Sequence, residues 1–373
     1  MKRTVISLSV GTALGLTAAA IVAFAGPLDP PADPVTPTFK TLNEVEPRTP
    51  SSQANTPGGA SATFIISKPG SYYLTGNLLG QAGRTGISIA ASNVTIDLNG
   101  FTVDGQGVGG GQGITATASF TDITIRNGTV ANWTSNGVNL LGGNSVVERI
   151  TASGNSGAGI SAGPDSVVRD WVAHSNVAAG IAIGDDSTAT GCQARTNATG
   201  ISAAISGVVT DCLAASNTLT GIVAGNSGRI TRCTATANEG DGIRASSGAL
   251  VSACSAQGNT GDGIEVFGDA LVTGNMCDGN GAAGDGAGIH ATSTDNRIQA
   301  NACNDADRGI DVDLVGNIII GNTCAGNATN FAIAGNNYFC AIVDRAGILV
   351  SAVTGSTAGS SLATSDPHAN FAY

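Results

Sequence analysis

The sequence predicts an all-β chain: a right-handed single-stranded parallel β-helix, a solenoid of about 12 turns. Three observations carry this reading. Gly followed by Ile or Val recurs at Gly86, Gly113, Gly137, Gly159, Gly180, Gly200, Gly221, Gly242, Gly263, Gly288 and Gly309, at intervals close to 21 residues. Asn155, Asn176, Asn217, Asn238 and Asn259 each stand four residues ahead of that glycine. Short alternating runs such as GISAG, GIAIG and GIVAG follow it. Alternation reads as strand, and so many Gly and Asn oppose helix. A leucine-rich repeat would need several leucines per unit, and these units have almost none. Phe331-Ala332-Ile333 reads as one more unit without its glycine. The right hand follows from the general preference of parallel connections.

The elements follow in chain order. Lys2 and Arg3 precede an apolar run from Val5 to Phe24 that closes on Ala23-Phe24-Ala25. Residues 1–25 thus read as a secretory signal peptide cleaved after Ala25, with no transmembrane segment retained. Eight of the 11 prolines lie between Pro27 and Pro57, so residues 26–60 read as a Pro-rich linker or N-terminal extension. Residues 61–340 form the β-helix, and 341–373 a C-terminal tail or cap. The formal charge of −11 argues against a nucleic-acid partner. A secreted or cell-surface monomer is expected.

The stretches ISKPGSYYLTGNL (66–78) and NVTIDLNGFTVDG (93–105), with the Asn…Gly-Ile units after them, resemble the right-handed parallel β-helix repeat proteins of the pectate-lyase-like superfamily. The ending NNYFCAIVDRAG…TSDPHANFAY is similar to a terminal segment of secreted bacterial members of unassigned function. The resemblance implies the fold, and it implies a role in binding, cleaving or epimerising an acidic polysaccharide. Asp366 to Ala369 resembles the Asp-Pro-His-Asp motif of alginate epimerases but departs from it at Ala369, so the segment reads as a tail over the last turn. Asp97 alternates with Ile96 and Leu98 and is expected to face solvent in a structural role.

Charge marks one place on this scaffold. Residues 239–313 hold 12 of the 27 acids and three arginines. Stacking equivalent positions at about 4.8 Å aligns Asp241, Asp262, Ala287 and Arg308 in one column and Arg244, Glu265, His290 and Asp311 in the next. Two places further come Ser246, Phe267, Thr292 and Asp313. Alternating signs in the second column suit cross-strand pairs. Two stacked aspartates repel, so Asp241 and Asp262 are expected to face solvent and share a Ca²⁺, with Glu239, Glu265 and Asp285 as further oxygen donors. His290 is the candidate base, Arg244 or Arg308 would neutralise developing charge, and Glu265 with Asp311 is the pair a glycoside hydrolase would use. The expected partner is a polysaccharide or cell-envelope glycan. A non-catalytic cell-surface spacer or adhesin is the alternative, since aromatic residues are only 4% of the chain.

The cysteines follow the repeat too. Cys192, Cys212, Cys233 and Cys254 share one column; Cys277, Cys303 and Cys324 lie two residues further on. Export permits a bridge, Cys192–Cys212 or Cys233–Cys254; buried thiols as small apolar filler are the other reading. With three histidines and no Cys-x-x-Cys in the chain, a His-rich or Cys-rich metal cluster is not expected.

Overall fold

Each 21-residue unit becomes one turn of three short strands in the computed structural model, for example Ile222–Ala224, Arg229–Thr231 and Thr234–Thr236. The structure describes residues 45–108, 110–281, 284, 286–344, 353–355 and 365–373. The expected signal peptide and most of the Pro-rich segment lie outside them. Arg48–Tyr373 form one unit, in which every regular element among the described residues is a strand. No helix of the described residues is long and apolar enough to cross a membrane.

Strands in equivalent positions pair in parallel from turn to turn, with Ile201↔Ile222↔Ile243 in register. The first strand of every turn belongs to one 14-stranded sheet. The second and third strands fall in a 26-stranded sheet, because Ile123–Ala131 and Val146–Ser153 run unbroken through the corner between them. The solenoid therefore has about 14 turns rather than about 12. The added rungs are Ala62–Ile66 and Val353–Gly355, which lack the Gly-Ile signature. Two further strands come from stretches read as extensions: Thr49–Pro50 pairs with Gly70–Tyr73, and Asn370–Ala372 lies between Thr323–Ala325 and Ile342–Asp344.

The core is columnar. Ile160, Ile181, Ile201, Ile222, Ile243, Ile264, Ile289 and Ile310 are each fully buried. Facing them are Val168, Ala189, Val209, Ile230 and Val251 from the second strands and Ala173, Ala194, Ala214, Ala235 and Ala256 from the third. Trp171 and Trp133 are both buried, and Trp133 Nε1 donates to the Val103 carbonyl at 3.0 Å.

The recurrent glycine answers to crowding rather than to backbone curvature. A Cβ on Gly242 would stand 2.6 Å from Asn259 Nδ2 and 2.7 Å from the Gly263 carbonyl oxygen. The crowding comes from the asparagines. Asn155, Asn176, Asn197, Asn217, Asn238, Asn259 and Asn280 form a buried ladder in which each Nδ2 donates to the next Oδ1 at 2.8–3.3 Å. Each Oδ1 also accepts the backbone N–H of the preceding rung, as Asn238 Oδ1 does from Asn217 at 3.1 Å. Replacing Asn238 by leucine leaves the Asn217 N–H and the Ala214 carbonyl without their partner. Each such buried group costs about 1–3 kcal/mol, so urea denaturation should show a loss of at least that size, with Asn238→Asp failing to restore it.

The cysteine column uses the same device. Cys192 N–H donates to Cys212 Sγ at 3.4 Å, and Cys254 N–H donates to Asn275 Oδ1 at 2.9 Å where the column changes from Cys to Asn. Each thiol in turn donates to a carbonyl, Cys254 to Ser252 at 3.3 Å. All eight cysteines are free, so neither Cys192–Cys212 nor Cys233–Cys254, the bridges that export permits, is formed. A disulfide would remove two S–H donors from this ladder. Cys277, Cys303 and Cys324 stack fully buried on the third strands of their turns. Contact with the Cys303 thiol and then burial push Cys277 well above the usual thiol range.

Asp97 is buried, not solvent-facing. Its Oδ2 meets Arg48 Nη1 at 3.1 Å and Arg126 Nε at 3.2 Å, and its Oδ1 accepts from Asn99 N–H and Asn127 Nδ2. Burial alone would raise this carboxyl; the Asn99 and Asn127 hydrogen bonds and Arg126 outweigh it and hold it below the usual range. The structural role expected of Asp97 stands, in a different setting.

Candidate functional site

The strands Ile243–Ala245, Ile264–Val266, Ala287–Ala291 and Arg308–Val312 carry the charged columns. Ile243 and Ala245, Ile264 and Val266, Ile289 and Ala291, and Ile310 and Val312 point into the core, so the residue between each pair lies on the opposite side of its strand. Arg244↔Glu265↔His290↔Asp311 are therefore direct cross-strand neighbours. The next positions, Val223 on one side and Ala332 on the other, carry no charge.

Contacts within the columns are specific. Arg244 Nε lies 3.3 Å from Glu265 Oε2, and its guanidinium covers the Phe267 ring at 5.4 Å from the centroid. Arg308 Nη1 meets Asp311 Oδ2 at 2.5 Å. His290 Nδ1 is 2.9 Å from Asp262 Oδ2, and its Nε2 is 3.1 Å from Asp313 Oδ2 and 4.0 Å from Asp311 Oδ2. Asp313 joins the site although its position suggested no role. Its signal was the outward parity it shares with Asp311.

Asp241 and Asp262 are not a free pair facing solvent. Asp262 is only 8% exposed, because the residue before the glycine sits at the corner, where the next rung covers it. Its Oδ1 accepts the Ala287 N–H at 2.6 Å, while its own N–H donates to Asp241 Oδ1 at 3.0 Å. The repulsion expected of stacked carboxylates is met by a backbone donor and an imidazolium. Asp241, Asp262 and Glu265 still bring ligand oxygens within 4.8 Å of one another. This oxygen-only set fits the chemistry of Ca²⁺. Of the further donors expected, Glu239 is exposed, and Asp285 lies outside the described residues.

Two groups are strongly perturbed. Burial, then hydrogen bonding with the Asp241 carboxyl, raise Glu265 to about 7 against the opposing pull of Arg244. Burial alone would lower His290, but its hydrogen bond to Asp262 and the charges of Asp262, Asp311 and Asp313 overcome this and bring it to about 9. At neutral pH His290 is thus a cation with no free lone pair, rather than the expected base. Glu265, half-protonated there, has the property that a base needs. Asp311 is engaged by Arg308, which sets it apart from the pair of free carboxyls a glycoside hydrolase would use.

A solenoid of parallel-stacked rungs is the architecture of β-helix proteins. The description "Right handed beta helix region" matches residues 63–210 and 199–354, and the chain belongs to that family. Among solved structures it is similar to the A-module of the mannuronan C-5 epimerase AlgE4 of Azotobacter vinelandii, at 18% identity over 78% of this chain and 91% of that one, with a TM-score of 0.55. The A-module of AlgE6 from the same organism matches at 15% identity over 78% and 92%, with a TM-score of 0.51. No curated protein matches the chain. At these identities the likeness establishes the fold.

Proposed function

We propose that the face formed by residues 239–313 binds an acidic polysaccharide and removes a proton from it next to a uronate carboxylate, in an epimerisation or an elimination. The observation that carries this reading is Glu265. Its carboxyl titrates near neutrality on an outward rung between a cationic arginine and a cationic histidine. Arg244 and Arg308 would pair with sugar carboxylates. The His290 imidazolium would face the negative charge that develops as the proton leaves, which is the stabilisation such reactions require. Ca²⁺ bound by Asp241 and Asp262 would supply a further positive charge toward the carboxylate. The two A-modules, named for a mannuronan epimerase activity, support a uronan as the first polymer to try.

Incubating the purified protein with polymannuronate, alginate and pectate, with and without Ca²⁺, tests the proposal. Proton NMR of the C5 centre and absorbance of unsaturated uronates should register turnover of at least one polymer. Binding of these polymers without turnover would favour the non-catalytic cell-surface role. No binding to any of them would remove the acidic-glycan reading.

A further inference from the structure

We propose that His290, Asp311 and Asp313 form a binding site for a divalent transition-metal ion of the zinc class, distinct from the oxygen-only set of Asp241, Asp262 and Glu265. His290 Nε2 and one carboxylate oxygen from each aspartate lie within 4.8 Å of one another. One nitrogen with two carboxylates is a donor set for zinc-class ions, whereas Ca²⁺ takes oxygens.

Convergence alone would be a weak sign. The second observation is how the imidazole is held. Its other nitrogen, Nδ1, is fixed at 2.9 Å by Asp262 Oδ2, and Asp262 is itself anchored through Oδ1 by the Ala287 N–H at 2.6 Å. A metal-ligating histidine almost always donates its second N–H to a carboxylate, which sets the tautomer and aims the free nitrogen. Here that carboxylate is buried, and Nε2 is aimed at Asp311 and Asp313. The rungs beneath are rigid, because Ile289, Ala291, Ile310 and Val312 hold both strands in the core.

Charge favours the ion. Three carboxylates, Asp262, Asp311 and Asp313, surround the one imidazole, and Arg308 already rests on Asp311, which it would share with the metal. On binding, the ion replaces the Nε2 proton, which passes to solvent. Positive charge stays at this point of the face in either state. Asp313 is exposed, so the coordination sphere would be completed from the solvent side. This inference does not depend on the glycan reading, since its readout is metal binding alone.

The test uses the full chain stripped with a chelator and titrated with Zn²⁺ by calorimetry and with Co²⁺ by visible absorption. One ion should bind saturably per chain, with Co²⁺ showing d–d bands and no thiolate charge-transfer band. His290→Ala and Asp313→Asn should each weaken binding by about tenfold or more, and Asp262→Asn by roughly 10–100-fold, as loss of an outer-shell partner does. Asp186→Asn, at an exposed carboxylate on an earlier turn, should leave the affinity within about twofold, because distant sites without shared partners act independently. Asp313 is exposed and its variant will fold, which keeps the test open if the His290 variant does not. Absence of saturable uptake, a thiolate band, or affinity unchanged in Asp313→Asn would overturn the site.

Discussion

Glu265→Gln is expected to lower turnover on the responsive polymer by about 10²–10⁴-fold, the usual contribution of a positioned base. The amide keeps the size of the side chain and a contact with Arg244 but cannot take up a proton. Wild-type rate should rise as pH passes through about 7, because the base must be ionised and burial beside Asp241 has raised it to that point. His290, brought to about 9, remains a cation across this window and adds no second inflection below it. Initial rates from pH 5 to 8.5, measured on both proteins, check the assignment. A variant that keeps the wild-type pH profile would show that Glu265 is not the base.

Ile222→Asp is expected to cost more than about 4 kcal/mol, which places it among the most damaging single substitutions. Ile222 is fully buried between Ile201 and Ile243, so the carboxylate would meet aliphatic side chains above and below. Burying an unpaired charge adds to the lost packing. Val223 is the matched control. It is the outward centre of the same strand, and Val223→Asp should change stability by less than about 1 kcal/mol. Denaturant titration of the pair reads the difference directly. Equal effects would mean that the alternation of this strand is misassigned.

Much of the fold was legible because the physics of a solenoid is local and repeated. One glycine, one asparagine and one isoleucine per unit set the corner, the ladder and the core, and the period exposes all three. The end rungs were missed for the same reason: Ala62–Ile66 and Val353–Gly355 follow the stacking without the repeated residues. In the site, register placed Arg244, Glu265, His290 and Asp311 in one column, as the structure does. Spacing could not show how side chains choose among several partners. Asp262 turning to Ala287 and His290, and Asp97 turning to Arg48 from a segment read as linker, depend on burial at the corners. The cysteines were ambiguous because Cα spacing along a column permits a bridge, while the carbonyls that hold each thiol appear only with the backbone in place.

The placement of Asn370–Ala372 bears on the order in which the molecule assembles. These residues follow Ile342–Asp344 in sequence but precede that strand in the stack, seated on Thr323–Ala325 with Asn370 Oδ1 accepting from Asn322 N–H at 3.0 Å. Every earlier rung can form on the one made just before it, by short-range zippering of contacts about 21 residues apart. The strand Ile342–Asp344 cannot reach its final seat until residues 370–372 have been synthesised and have slipped in beneath it. This closure requires contacts some 48 residues apart, as between Asn322 and Asn370, and long-range closure is slow. Propagation along the solenoid thus ends in a step of a different kind, in which a later segment wedges itself under an earlier one.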